Sequence, residues 1–299
     1  MNTTGPDWNL YRSFLAVMRE QSLSAAARAL NLTQPTLARH IDALEAALGL
    51  ELFVRSQRGL FPTEAALELV AYAENLEANA AALLRTASGF GGVVRGTVRV
   101  TASEMVGAEV LPPILAGLRR RHPQLEFELV LSNAVENLLR RDADIAVRMV
   151  EPVQEALVVR KLGSISIGLY AQEAYLATAG TPASIDELAD HSLVGFDEET
   201  ASIRAMRSRL PQFESLHFAL RANSDFAQLQ TIRAGFGIGF CQVGIARREP
   251  HFVRLLPDAL DLKLGVWLAM HENLRSTPRC RAAFDGLAAG LAEYIATAA

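Results

Sequence analysis

Catalysis needs nucleophiles, bases or metal ligands brought together by their spacing, and this sequence offers few such groupings. Its six histidines (His40, His122, His191, His217, His251 and His271) are scattered, none at metal-ligand spacing. Cys241 and Cys280 belong to no metal or redox motif and read as free thiols in a reducing compartment, most simply as small buried hydrophobes. No Gly-x-Ser-x-Gly elbow and no phosphate-binding P-loop is present. Gly235, Gly237 and Gly239 alternate as in a dinucleotide loop, but a helical stretch precedes them and a strand-like one follows. That order is the reverse of the one such a loop needs, and it reads as a helix-to-strand turn. Neither an enzyme, nor a bound metal, nor a cofactor is expected.

A different chemistry is written near the start of the chain. Thr33-Gln34-Pro35-Thr36 opens a helix with polar side chains, and Arg39 follows one turn later. Gln34 can pair bidentately with adenine N6 and N7, and Thr36 can offer a hydroxyl to a base edge or a methyl to thymine. Arg39 can reach a phosphate or a guanine, and the helix N-terminus itself favours phosphate. Arg55 and Arg58 stand where they can follow a backbone or enter a minor groove. With Ser24 on the preceding helix, these are the candidate DNA-contacting residues. His40, on the same helix, reads equally as a phosphate contact or as a plain exposed side chain. Bulk charge gives no help: the chain carries −4 overall, and residues 1–62 hold six arginines against five acidic side chains.

The elements that would position these groups follow from periodicity. Leu10, Phe14 and Val17 make one helical stripe, and Ser22 to Ser24 offer N-cap hydroxyls to the alanine-rich segment after them. Asn31-Leu32 is a turn, Thr33 an N-cap, and Pro35 falls in a first turn where a missing N–H costs nothing. Leu37, Ile41, Leu44 and Leu48 form the buried stripe of that helix, and Gly49 is its C-cap candidate. Residues 51–62 read as a β-hairpin. Residues 63–88 read as one long helix with a heptad seam, Ala66, Leu69, Ala73, Leu76, Ala80, Leu83 and Ala87. Such a seam suits pairing with another helix, the alternative being a helix laid on its own domain. Leu69, Ala73, Leu76, Ala80 and Leu83 are the candidate dimerisation residues.

Beyond the break at 89–92, strand-like and helix-like stretches alternate, which predicts βαβ units and a mostly parallel sheet. Strands are expected at 98–100, 125–131, 144–149, 165–170, 185–188, 193–196 and 264–270. Helices are expected at 112–121, 134–140, 224–234 and 278–295. At 299 residues the chain is long enough for about two domains. No signal peptide and no apolar run of membrane-spanning length is evident, so a cytoplasmic protein without membrane association is expected.

The stretch from Phe14 to Thr63 resembles the DNA-binding domain of LysR-type transcriptional regulators. Phe14, Val17, Ser22, Ala26, Ala27, Leu30, Gln34, Pro35, Leu37, Arg39, Ile41, Leu44, Glu45, Leu48, Gly49, Leu52, Phe53, Arg55 and Thr63 carry the likeness. The segments 96–100, 144–148 and 234–239 resemble the effector domain of the same family. Ala38 stands where the family often has Ser, which puts one phosphate-contacting hydroxyl in doubt. Ala66 replaces a usual Gly, which makes that junction more helical.

The resemblance implies an α/β protein with three parts. A winged helix-turn-helix spans 1–63, a linker and dimerisation helix 64–89, and a two-lobed effector-binding domain like periplasmic binding proteins 90–299. Lobe I would take about 93–162 and 266–299, and lobe II about 163–265. It further implies a homodimer or homotetramer that binds a double-stranded DNA operator under control of a small molecule, a carboxylate or an amino acid. A constitutive regulator without ligand is the alternative, and a solute-binding or enzymatic α/β protein a more distant one. Ligands of such folds sit at strand ends, which makes Ser103, Ser132, Arg148, Phe196 and Asn223 the candidate effector contacts. Arg148 is equally open to being held by Asp144 or Glu151, and Glu104, beside Ser103, would repel a carboxylate or bind an amine.

Overall fold

The computed structural model describes residues 5–56, 59–88, 94–133, 143–152, 157–197, 203–204, 208, 213, 216–260 and 262–297. The chain divides into two compact units, one ending at Leu84 and the other beginning at Arg85.

The first unit starts with α1 (Trp8–Glu20), capped by the Asp7 carboxylate, which accepts the Asn9 amide at 2.7 Å. The Ser22 hydroxyl caps α2 (Leu23–Ala29) through the Ala25 amide. Thr33 caps α3 (Gln34–Leu48), which Gly49 closes at φ +68°. Phe14, Leu15, Val17, Ala26, Ala27, Leu37, Ile41 and Leu44 bury one side of each helix in a shared core, which is what fixes α3 against the other two. A hairpin follows, β1 (Phe53–Ser56) against β2 (Gly59–Pro62), in antiparallel register from Phe53 opposite Pro62. Glu45 holds it to α3, its carboxylate accepting the amides of Leu52 at 2.7 Å and Phe53 at 3.2 Å. The Thr63 hydroxyl then donates to the Glu51 carbonyl and accepts the Ala66 amide, launching the 25-residue α4 (Glu64–Ser88).

The second unit holds β3 (Gly96–Ala102), α5 (Glu104–Glu109), α6 (Leu111–Arg121), β4 (Leu125–Leu131), β5 (Ile145–Arg148) and β6 (Leu157–Gln172). After these come α7 (Glu173–Ala179), β7 (Leu193–Gly195), β8 (Phe218–Arg221), α8 (Asp225–Arg233), β9 (Gly239–Gln242) and α9 (Val243–Ala246). The last elements are β10 (Phe252–Leu255), β11 (Leu262–His271) and α10 (Pro278–Thr297). Seven strands share one sheet in the order β10-β6-β11-β5-β3-β4, with β9 also on β6.

This sheet differs from the mostly parallel one expected. Within it, β3 pairs with β4 and β5 in parallel, whereas β11–β5, β11–β6, β10–β6 and β9–β6 are all antiparallel. The reason is chain order: β6 and β11 run as long strands through the sheet rather than returning through a helix. Residues 185–188, expected as a strand, form a 3₁₀ turn instead, Asp186–Asp190, in which Leu188 alone is buried. The expected helix at 134–140 lies outside the described residues.

Two hydrophobic clusters fill the second unit. One gathers Val98, Val100, Ile145, Val147, Val266, Leu268 and the inner face of α10. The other gathers Ile167, Leu169, Leu188, Leu193, Ile238 and Leu262. Strands β6 and β11 contribute to both, so they connect the two cores. Gly237 explains one tight approach: a Cβ there would stand 2.0 Å from the Ser192 carbonyl oxygen.

Candidate functional site

Two sets of polar residues emerge from this scaffold. The first lies at the start of α3. Leu37, Ile41 and Leu44 face inward, which turns Thr33, Gln34, Pro35 and Arg39 outward and leaves Thr36 half-buried. The Ser24 hydroxyl donates to Gln34 Oε1 at 2.9 Å, so α2 orients the glutamine while its amide N–H₂ stays exposed. Thr33 Oγ1 accepts the Thr36 amide and lies 2.8 Å from the Thr36 hydroxyl. Ser24, Thr33, Gln34, Pro35, Thr36 and Arg39 therefore form one polar surface. The side chain of Arg55, and Arg58 altogether, lie outside the described residues. His40 is half-buried rather than a plain exposed side chain. Its Nδ1 is hydrogen-bonded to Ser13 Oγ at 2.8 Å, so it braces α3 on α1.

Along α4 the heptad seam divides in two. Ala66 and Ala73 are buried and Leu69 half-buried in the core of the first unit, so this half lies on its own domain. Farther along, Leu76 and Leu83 are exposed and Ala80 is half-buried. Leu67, Tyr72 and Leu84, which the heptad reading missed, are also exposed apolar side chains on this helix.

The second set lies at the C-terminal ends of β3, β4 and β5, which are neighbours in parallel register. Ser103, Ser132 and Arg148 follow or end these strands and so share one sheet edge. Arg148 is 4% exposed and donates to the Thr101 hydroxyl at 2.9 Å and to the Val147 carbonyl at 3.1 Å, while its Nε has no partner. Neither carboxylate weighed as its holder serves. Asp144 accepts the Arg99 amide at 2.9 Å and pairs with Arg85, and no ion pair joins Glu151 to Arg148. Burial without a counter-charge pushes the Arg148 guanidinium down to about 10. Ser103 is 8% exposed, and its Oγ likewise has no partner.

Three residues that sequence reasoning missed complete this edge. Asn133 accepts the Glu104 amide through Oδ1 at 3.1 Å and donates to Asp225 Oδ1 at 3.4 Å. The Ser224 hydroxyl donates to Glu104 Oε2 at 2.6 Å. The available signals were weak: Asn133 merely follows Ser132, and Ser224 and Asp225 read as an ordinary helix start. Phe196 and Asn223 follow the paired strands β7 and β8 and so lie near each other. Among the described residues no hydrogen bond joins Asn223 to the Ser103–Arg148 set. No group of three or more His, Cys, Asp or Glu residues able to hold a metal occurs among the described residues. No helix among them is long and apolar enough to cross a membrane.

Two family models match the chain. Residues 8–67 match the bacterial regulatory helix-turn-helix protein, lysR family, and residues 91–292 match the LysR substrate binding domain. An uncharacterised HTH-type transcriptional regulator of Haemophilus influenzae is 25% identical over 280 residues, covering 90% of this chain and 95% of that one. The HTH-type transcriptional regulator CrgA of Neisseria meningitidis is 31% identical over 185 residues, 62% of each protein. Among solved structures, full-length CbnR in complex with its target DNA superposes with a TM-score of 0.68 at 18% identity, covering 98% of this chain and 100% of that one.

Proposed function

The chain belongs to the LysR family of transcriptional regulators, DNA-binding proteins with an effector-binding domain, and from that premise we propose that α3 reads its operator and that a small molecule bound at the β3, β4 and β5 strand ends controls it. The observation that carries this reading is the exposed polar start of α3, with Gln34 oriented by Ser24 and the opposite face locked in the core. A recognition helix needs base-reading side chains at its N-terminal end and a rigid brace behind them. Thr33, Gln34, Pro35, Thr36 and Arg39 make the DNA contacts, with Arg55 and Arg58 acting from the hairpin. The exposed half of α4, led by Leu76 and Leu83, pairs two copies of the chain, so that two recognition helices meet half-sites about one helical turn apart. The protein works in the cytoplasm as a homodimer or homotetramer.

The effector half of the reading is supported by Arg148 and Ser103. A buried guanidinium without a counter-ion and a buried hydroxyl without a partner are both costly to leave unmade. An anionic group on the effector would satisfy both, with Ser132, Phe196 and Asn223 as further contacts. A thermal-shift measurement on the whole protein with a panel of small carboxylates tests this. A ligand at 100 times its Kd raises stability by roughly 2.7 kcal/mol, and Arg148→Ala should abolish that shift. Stabilisation by the same compounds in Arg148→Ala would place the effector elsewhere.

A further inference from the structure

The strand-end site carries a second polarity. Glu104, at the start of α5, and Asp225, at the start of α8, approach each other through a closed ring of polar contacts. Ser224 donates to Glu104, Asn133 accepts the Glu104 amide, and Asn133 also donates to Asp225. Two carboxylates in one such ring do not both ionise unless a cation stands with them. Burial, together with the neighbouring Glu104, raises the Asp225 carboxyl to about 6, so below that pH a proton takes the place of that cation.

Among the described residues no basic side chain fills this place. Arg233, at the far end of α8, is engaged by Glu109 of α5 and by Glu249. Arg148 lies on Thr101. Asn133 and the Phe226 amide, the other groups acting on Asp225, carry no charge.

The neighbouring residues point to a ligand independently. Ser103 directly precedes Glu104, and both Ser103 Oγ and Arg148 Nε are deeply buried without a partner. Ser103 thus calls for an anion one residue along the chain from Glu104, and Arg148 stands at the end of β5, the strand paired with β3. We propose that the effector is a zwitterion bearing a protonated amine, its ammonium held between Glu104 and Asp225 and its anionic group by Arg148 and Ser103. This rests on the reading of the strand ends as the effector site and deepens it. An ammonium N–H donates to both carboxylates, and the shared proton leaves to solvent. Binding therefore tightens as pH rises through about 6.

The test uses full-length protein and matched probes: each common L-amino acid beside its deaminated carboxylic acid and its decarboxylated amine. The expected result is an amino acid that stabilises the protein and binds about tenfold or more tightly than its deaminated partner. For that compound, calorimetry in two buffers of different ionisation heat should show proton release near pH 6. Glu104→Gln, which keeps shape and removes charge, should lose the tenfold preference while melting cooperatively. Deaminated acids binding as well as their parents would overturn the amine while leaving the effector site in place. A panel in which no amino acid and no acid binds would overturn both.

Discussion

Gln34 is the proposed base reader, and its surroundings suit that role. Its carbonyl accepts from Ser24, yet an amide oxygen has a second lone pair and the N–H₂ is exposed. The side chain is thus aimed before it meets DNA, and less rotamer freedom remains to be lost on binding. Gln34→Ala should lower discrimination at one base pair by ~1–3 kcal/mol, measured by competition between operator variants. Ser24→Ala should weaken binding less and leave the preferred base unchanged. At the other site, Asp225 takes up a proton on folding, because its carboxyl stands near 6 against 3.8 in an exposed chain. A raised carboxyl stabilises the fold most below 3.8 and loses that contribution as pH climbs through about 6. The second unit should therefore melt at lower temperature as pH rises across that window, and Asp225→Asn should flatten the dependence. The polar residues gathered at the start of α3 were legible in the sequence as a group because they sit within one helix-turn-helix. The acid pair was not, because 120 residues separate Glu104 from Ser224 and only the fold brings them together.

At the scale of the element, α4 is the instructive case. Its heptad seam was visible in the sequence, but periodicity cannot say which half meets a partner. The structure buries Ala66 and Ala73 against α1 to α3 and leaves Leu76 and Leu83 exposed, with Tyr72 beside them. Leu76→Glu or Leu83→Glu should therefore shift the protein toward monomer in sedimentation experiments without loss of helix content. Ala73→Glu should instead unfold the first unit, since it places an unpaired charge in a core. The turn after α8 yields a second test. Gly237→Ala would drive a methyl into the Ser192 carbonyl, and a loss of several kcal/mol is the order expected when backbone has to move. The glycine run was legible as a turn, but the close approach across to Ser192 was not. The stretch at 185–188 misled for a related reason: one buried leucine in a 3₁₀ turn imitates a short strand.

For the molecule as a whole, charge and sequence reading are linked. The chain is net negative, and its first 62 residues are close to neutral. Few phosphates can then be neutralised, so the fall of affinity with salt should be shallow, with log K against log[salt] flatter than the slope of about −10 known for a strongly basic footprint. On the proposed reading, specific binding draws on base contacts and on two recognition helices acting together, which makes the exposed half of α4 as necessary as Gln34. The measurement that bears most directly on this account is fluorescence anisotropy of the full-length protein at moderate salt. It compares the DNA upstream of the protein's own gene with a shuffled duplex of equal length. The expected result is a preference of roughly 10³-fold or more for the natural sequence, reduced in Gln34→Ala. Equal affinity for the two duplexes, unchanged by Gln34→Ala, would contradict sequence-specific reading by α3.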